Sequence, residues 1–455
     1  MAISTRFLLD AMMYVAAGFG AAIPLLYLNV RYSRNLGLID WPKARGLAED
    51  HVPIVGPSLV VVALVTLSIM MAYFNVSPWV ITSAAIIGLM GYFDDRRSLP
   101  ALDKLFFQAV CALAVVYMDP QIGSSLSTKY GSAGLLLGAL FMVAVMNAVN
   151  FIDGIDGLAG IVLLTAFGVL PFIGLGHPSA FPYVILSCVM AGALLPFLHL
   201  NVRRRKGFMG NVGSYFFSFV VAAAHLSVPF DAAGPVSRLA LSGLCFLVPL
   251  ADAVTVITLR ISSGRSPFRP DKGHLHHRLV QTNIPLRYTL AVMGLIQLLG
   301  TGTSLFLSYS TTITASYLPL VIFAGYAIIT STLIVLLEKA SRIRVQAYFQ
   351  RLDSGDPIYY LKYRVNRADK KPITMPELKR LETKFATEIR VTDICAAQET
   401  DCLFIVLRTM AEPLKGISAR LEAVIHSERV YEFHLIERGD FTKRLTDGHS
   451  SRKTA

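Results

Sequence analysis

The run Asn147-Ala-Val-Asn150-Phe-Ile-Asp153-Gly-Ile-Asp156-Gly-Leu-Ala159 sets two carboxamides and two carboxylates at three-residue intervals, with a glycine after each aspartate, at the mouth of an apolar segment. An ionisable side chain drawn toward the centre of a bilayer costs about 2.5–3.5 kcal/mol, so a pair of carboxylates in such a place points to chemistry rather than to solvation. A second cluster, Asp94-Asp95-Arg96-Arg97, is followed by Leu99, Pro100, Lys104 and Gln108. Adjacent carboxylates at a helix exit suit a hard divalent cation, since Mg²⁺ prefers carboxylate and phosphate oxygens and keeps several waters. Lys104 can counter phosphate charge. The plainer reading of Asp94 and Asp95 is a helix cap, or a balance for Arg96 and Arg97.

Two further clusters extend the pattern. Asn201 precedes Arg203-Arg204-Arg205-Lys206, and Gly207, Gly210 and Gly213 flank Phe208, Asn211 and Ser214. Glycines let a ligand approach the backbone, a helix N-terminus can hold anionic oxygens, and Phe208 can stack on a base. The four cations also fit simple anchoring at a membrane surface. The last cluster runs from Arg265 through Pro267, Pro270 and Asp271 to His274, His276, His277, Arg278 and Leu279. No carboxylate or thiolate stands at zinc-ligand spacing from these histidines, and their neighbours are basic, so phosphate or sugar contacts fit better than zinc. Asp252 adds a carboxylate inside an apolar run. Taken together, the clusters suit a Mg²⁺-dependent reaction between a soluble nucleoside-diphosphate compound and a membrane-embedded phosphate, because phosphoryl chemistry needs charge neutralisation and in-line placement more than a covalent protein group.

The elements that must position these residues are membrane helices. Hydrophobic residues make up 54% of the 455 and charged residues 16%, and mean hydropathy is +0.55. Apolar runs recur near 8–29, 57–74, 78–93, 103–119, 134–150, 157–175, 181–199, 211–229, 237–258, 288–309 and 315–338. Each is close to the roughly 20 residues a helix needs to span hydrocarbon. Continuous apolar runs without two-residue alternation exclude a barrel, and an α-helical polytopic membrane protein of about eleven transmembrane helices is expected. Lys and Arg crowd the segments after the first, third, seventh and ninth runs, whereas the alternate loops carry only Lys129. By the positive-inside rule the N-terminus lies outside, and the four clusters and the C-terminus are cytoplasmic. The net charge of +12 reflects this topology, so no nucleic-acid partner is implied. The first apolar run lacks a convincing small-residue cleavage site and reads as a retained span. Cys111, Cys188, Cys245, Cys395 and Cys402 lack metal spacing, so neither a disulfide nor a zinc site is expected.

After Glu338 the composition turns charged. The transmembrane domain is placed at 1–338, a small soluble cytoplasmic α+β domain at 339–445, and a disordered polar tail at 446–455. Strands at 358–365, 389–396, 402–409 and 430–436, with helices at 374–386 and 412–426, give the order of a ferredoxin-like fold. Such a domain fits ligand sensing or dimerisation, and the sequence leaves a homodimer open.

The ordered motifs resemble those of the polyprenyl-phosphate N-acetylhexosamine-1-phosphate transferases, the superfamily of the phospho-MurNAc-pentapeptide translocase. The resemblance covers roughly residues 30–280. It rests on Asp94, Asp95, Leu99, Pro100 and Lys104, on the complete Asn147–Ala159 pattern, and on His-x-His-His-Arg-Leu at 274–279. This last element is closer to enzymes that use simple UDP-N-acetylhexosamines. The resemblance implies transfer of a sugar-1-phosphate from a UDP-N-acetylhexosamine to undecaprenyl phosphate with release of UMP, at a bacterial inner membrane, initiating a lipid-linked envelope glycan. It implies that Asp94 or Asp95 deprotonates or positions the lipid phosphate. Asn150, Asp153 and Asp156 would hold the nucleotide and a metal-bound diphosphate, Asn201 and Phe208 would shape a uridine pocket, and Lys104, Arg265, His274, His276 and His277 would contact diphosphate or sugar. The implied metal is Mg²⁺, or Mn²⁺ in its place, on Asp153, Asp156 and position 211.

Two departures stand out. The family has Phe-x-Gly-Asp-x-Gly-Ser with a metal-binding aspartate, where this chain has Asn211. In the first loop Asp40, Pro42, Arg45, Pro53 and Gly56 match the family pattern, whereas Gly46, Ala48, His51 and Pro57 do not. A second reading therefore stands beside the enzyme: a paralogue that binds polyprenyl phosphate or nucleotide without turnover. A transporter fits less well, because the carboxylates sit at loop ends on one face rather than at a midplane.

Overall fold

The computed structural model describes residues 5–40, 52–74, 76–175, 177–203, 207–228, 234–262, 286–309, 317–351, 358–364, 389–396, 402–409 and 433–437. The chain divides into two compact units, Met1–Trp41 with Val52–Lys339, and Pro42–His51 with Ala340–Ala455.

In the first unit the helices are α1 (Thr5–Tyr32), α2 (Gly56–Phe74), α3 (Pro78–Arg96), α4 (Ala101–Met118), α5 (Pro120–Tyr130), α6 (Ser132–Ile152), α7 (Leu158–Ile173), α8 (Phe181–Leu198), α9 (Gly210–Ser227), α10 (Pro235–Leu244), α11 (Leu247–Ser262), α12 (Leu286–Ser308) and the part of α13 (Leu318–Arg351) up to Lys339. A two-residue ribbon, β1 (Ile39–Asp40) with β2 (Val52–Pro53), pairs antiparallel ahead of α2. Among the described residues six helices are long and apolar enough to cross a bilayer, or seven spans if the α10–α11 pair counts as one. The chain is a polytopic helical membrane protein.

Local sequence explains the helix ends that matter here. Ser77 accepts a hydrogen bond from the Trp79 N–H, and Pro78 occupies the first turn of α3. At the other end α3 runs to Arg96, so Asp94 and Asp95 lie in its last turn. The stretch 120–133, read from sequence as a loop, is instead largely helical. Asp119 Oδ1 accepts from the N–H groups of Gln121 and Ile122, with Pro120 in the first turn, and α5 follows directly. The apolar run 237–258, read as one span, is two helices meeting at 100°. Pro249 supplies the physical reason: within a continuous helix its ring would press on the Cys245 carbonyl and it could donate no hydrogen bond. Buried Gln297 of α12 seals the break, donating to the Cys245 carbonyl at 2.6 Å and accepting from the Val248 N–H at 3.2 Å. No water is at hand inside a membrane to satisfy those groups, so a side chain from a neighbouring helix must.

At the centre of the bundle is α9, buried at every residue from Val212 to Ser227. It packs against α2, α3, α6 and α7. Phe216, Phe217 and Phe219 fill its surroundings, with Phe216 and Phe217 in edge contact at 5.4 Å. Its N-terminus thus reaches one end of the bundle where the ends of α3 and α6 also arrive.

The second unit contains an antiparallel sheet of β3 (Ile358–Arg364), β4 (Ile389–Ala396), β5 (Cys402–Thr409) and β6 (Phe433–Glu437), in the order β4-β5-β3-β6. Tyr360 pairs with Val406 on one side and Ile436 on the other. The helices read at 374–386 and 412–426 lie outside the described residues.

Candidate active site

Three helix ends and one loop build the site. Asp94 is 5% exposed and meets three donors. Lys104 of α4 lies 3.1 Å from Oδ2, the Leu99 N–H donates to Oδ1 at 2.8 Å, and the Asn211 side-chain NH₂ donates to Oδ2 at 2.9 Å. Asp95 turns its carboxylate onto the first turn of α9, accepting from the N–H of Asn211 at 2.9 Å and of Val212 at 3.0 Å. The orphan N–H groups of a helix start favour an anion there, and this one is supplied by another helix. Gly210 makes the approach feasible: its φ is +71°, and a Cβ would lie 2.8 Å from Asp95 Oδ2.

From α6, Asn150 reaches the same point. Its NH₂ donates to Asn211 Oδ1 and to Ser214 Oγ, each at 2.8 Å, and its Oδ1 accepts from the Tyr215 hydroxyl at 3.1 Å. One turn deeper, Asn147 donates to Gln108 Oε1 at 2.6 Å. Asn211, expected from the resemblance as a metal ligand, thus has both ends of its carboxamide engaged.

Asp153 and Asp156 follow α6 in the turn that leads into α7, and both are half-buried. Burial, and then the charges of Asp95 and Asp156, push the Asp153 carboxyl well above the usual carboxylate range. The turn closes at Gly157, whose φ of +90° puts the position out of reach for most other residues. Asn201 latches it: Oδ1 accepts from the Gly157 N–H, and the NH₂ donates to the Gly207 carbonyl at 2.8 Å. Phe208 is held in turn by the end of β2 and by Val55 just beyond it, donating to the Pro53 carbonyl at 2.8 Å and accepting from the Val55 N–H at 2.7 Å. Its half-buried side chain therefore rides on a fixed backbone.

Asp94, Asp95, Lys104, Asn150, Asp153, Asp156, Asn201, Phe208 and Asn211 thus belong to linked segments at one end of the bundle. Arg45, Arg265, His274, His276 and His277 lie outside the described residues. Sequence reasoning missed Tyr215 as a member of the network. Its signal was available: it stands four residues after Asn211 and one after Ser214, directly after the polar start of a largely apolar helix.

The donor chemistry suits a hard cation. The charges of Asp95 and Asp156 oppose ionisation of Asp153, and Lys104 is paired with Asp94. Among those residues no three His, Cys, Asp or Glu side chains form a closed metal cage. Mg²⁺ does not require one, because one or two carboxylates and substrate phosphates commonly complete its shell.

A bundle of apolar helices with carboxylates, carboxamides and a helix N-terminus gathered at one end is the architecture of a membrane-embedded transferase. The family model for glycosyl transferase family 4 matches residues 77–228, the stretch from the start of α3 to the end of α9. The chain is 33% identical over 338 residues to a decaprenyl-phosphate N-acetylglucosaminephosphotransferase of Mycobacterium tuberculosis, covering 67% of this chain and 81% of that enzyme. It is 28% identical over 297 residues to the undecaprenyl-phosphate alpha-N-acetylglucosaminyl 1-phosphate transferase of Escherichia coli K12, covering 63% of this chain and 80% of that enzyme. The chain belongs to glycosyl transferase family 4 and is a sugar-phosphate transferase.

Proposed function

We propose that the chain transfers an N-acetylhexosamine-1-phosphate from a UDP-sugar to undecaprenyl phosphate, releasing UMP and starting a lipid-linked cell-envelope glycan. The observation that carries this reading is the turn of Asp153 and Asp156, which crowds negative charge beside Asp95 at the polar end of an apolar bundle. The named activities of the mycobacterial and E. coli relatives support it. Asp153 and Asp156, with diphosphate oxygens, would hold Mg²⁺, or Mn²⁺ in its place. The metal would supply charge neutralisation at the diphosphate. The protein's own part is positioning: Asn201 fixes the turn, Phe208 offers a face for uracil, and Asp94 and Asp95 hold α9 and the Lys104 ammonium in place. Arg45, Arg265, His274, His276 and His277 are assigned to diphosphate or sugar contacts.

In the finer topology, counting the bent pair once and adding α3, α7, α9 and α13 to the six long apolar helices gives eleven crossings. The site and the second unit are then cytoplasmic and the N-terminus outside, in a bacterial inner membrane. The sheet order β4-β5-β3-β6 supports a ferredoxin-like domain.

A competing reading, a binding paralogue without turnover, is favoured by the engaged carboxamide of Asn211. Metal-dependent UMP release from UDP-N-acetylhexosamines in the presence of undecaprenyl phosphate separates the two. Turnover by the wild type, lost with EDTA, supports the transferase. A silent wild type that Asn211→Asp revives supports the paralogue.

A further inference from the structure

The carboxamide of Asn211 sits between a carboxylate and a second carboxamide, and the polarity of that chain is fixed. Asp94 Oδ2 accepts hydrogen bonds already from Lys104, so the group facing it at 2.9 Å must be the NH₂ of Asn211. Asn211 Oδ1 is then left to accept from Asn150, at 2.8 Å. Asn150 in turn is oriented by the Tyr215 hydroxyl and Ser214. Three helices, α3, α6 and α9, are thereby joined through one amide. Every step in the chain pairs a donor with an acceptor.

An aspartate at 211 would still accept from the Asn150 NH₂ but would break the pairing with Asp94. Its oxygen would face Asp94 Oδ2 at the present 2.9 Å separation, carboxylate on carboxylate, and only a shared proton or a cation makes such a contact tolerable. Adjacent oxygens in an octahedral Mg²⁺ shell lie about 3.0 Å apart, given metal–oxygen distances of about 2.1 Å. The gap that the Asn211 NH₂ now bridges is therefore the width of a Mg²⁺ shell edge.

We propose that Asn211 is a positioning residue whose amide stands in for a cation, joining Asp94 to Asn150 so that this end of the bundle assembles without a divalent ion. The inference rests on the transferase reading for the identity of the site. It assigns any metal that acts there to Asp153 and Asp156 and removes Asn211 from the ligand set.

The test is the thermal unfolding of the full chain in detergent, titrated with Mg²⁺ and with EDTA. Asn211→Asp is expected to unfold several degrees below the wild type in EDTA and to recover with Mg²⁺. Its Mg²⁺ affinity should be at least about tenfold tighter than that of the wild type, because one negative charge is added beside Asp94. The swap Asp94→Asn with Asn211→Asp restores a carboxamide–carboxylate pair of reversed polarity, with the Lys104 ammonium turning from position 94 to the new carboxylate at 211. It is expected to be more stable in EDTA than Asn211→Asp alone, and it keeps the proposal testable if that single variant does not fold. Asn211→Asp that ignores Mg²⁺, or a swap no better than the single variant, overturns the proposal. So does wild-type stabilisation by Mg²⁺ that disappears in Asn211→Ala, since Asn211 would then be a ligand. UMP release is scored separately: its absence counts against the transferase reading and leaves the bridge to stand on the unfolding data.

Discussion

Two aspartate pairs meet at one end of this bundle and are treated in opposite ways. Asp94 and Asp95 end α3, and each carboxylate is met by donors: an ammonium, a backbone N–H and a carboxamide for the first, two N–H groups of α9 for the second. Asp153 and Asp156 sit in a turn, and the strongest influences on Asp153 are burial and the charges of other carboxylates. A carboxylate that is fully hydrogen-bonded gains little from a metal or a substrate. One that is crowded by like charge gains a great deal. The comparison therefore separates scaffold from chemistry within a set of residues that look alike.

The largest expected effect lies on the crowded side. Asp153→Asn and Asp156→Asn should each lower transfer by about a thousandfold or more, the order of loss seen when a group stabilising transition-state charge is removed. Insertion and unfolding temperature of Asp153→Asn should stay near those of the wild type, because neutralising it relieves its repulsion by Asp95 and Asp156. Full turnover in both variants would break the comparison at its root.

Next comes Asp94. Asp94→Ala strands the Leu99 N–H and the Asn211 NH₂ and leaves Lys104, itself about a quarter exposed, without its partner. A destabilisation of about 3 kcal/mol is expected, at the low end for a broken buried pair because Lys104 can still reach water. Chemical denaturation in detergent reads it. A stability change near zero would show that Asp94 is not held as scaffold and would move it to the chemical side. Asp95→Ala should cost less, about 1–2 kcal/mol, as the loss of a helix N-cap. The loss should be partly recovered in Asp95→Asn, which keeps one acceptor for the α9 N–H groups.

The sequence makes the membership of this site legible, because carboxylates at the ends of apolar runs are costly and so stand out. It leaves the division of labour hidden. Asp94 and Asp95 meet α9 across 117 and 116 residues of chain, and no spacing rule links an α3 carboxylate to N–H groups that far away. Elsewhere the signals were local and present. Asp119-Pro120 is a helix start that low hydropathy disguised as loop, and Pro249 marks the break that a hydropathy window averages away. Strands β3, β4 and β5 fall where runs of aliphatic and aromatic residues place them, since β-branched and aromatic side chains fit a pleated surface.

The smallest effect sharpens the comparison most, because it touches the scaffold without removing any polar group. Gly210→Ala forces a side chain onto a residue with φ of +71° and sets its Cβ 2.6 Å from Ile54 Cγ2 and 2.8 Å from Asp95 Oδ2. The backbone penalty alone is about 1 kcal/mol, and Asp95 must shift to make room. If the Asp94–Asp95 side is scaffold, stability should fall by about that amount. Transfer per folded molecule should then stay within a few-fold of wild type, since Asp153 and Asp156 are untouched. A fully folded Gly210→Ala protein with transfer lost as completely as in Asp153→Asn would mean that the exact seat of Asp95 on α9 is itself part of the chemistry, and the two pairs would have to be treated as one site.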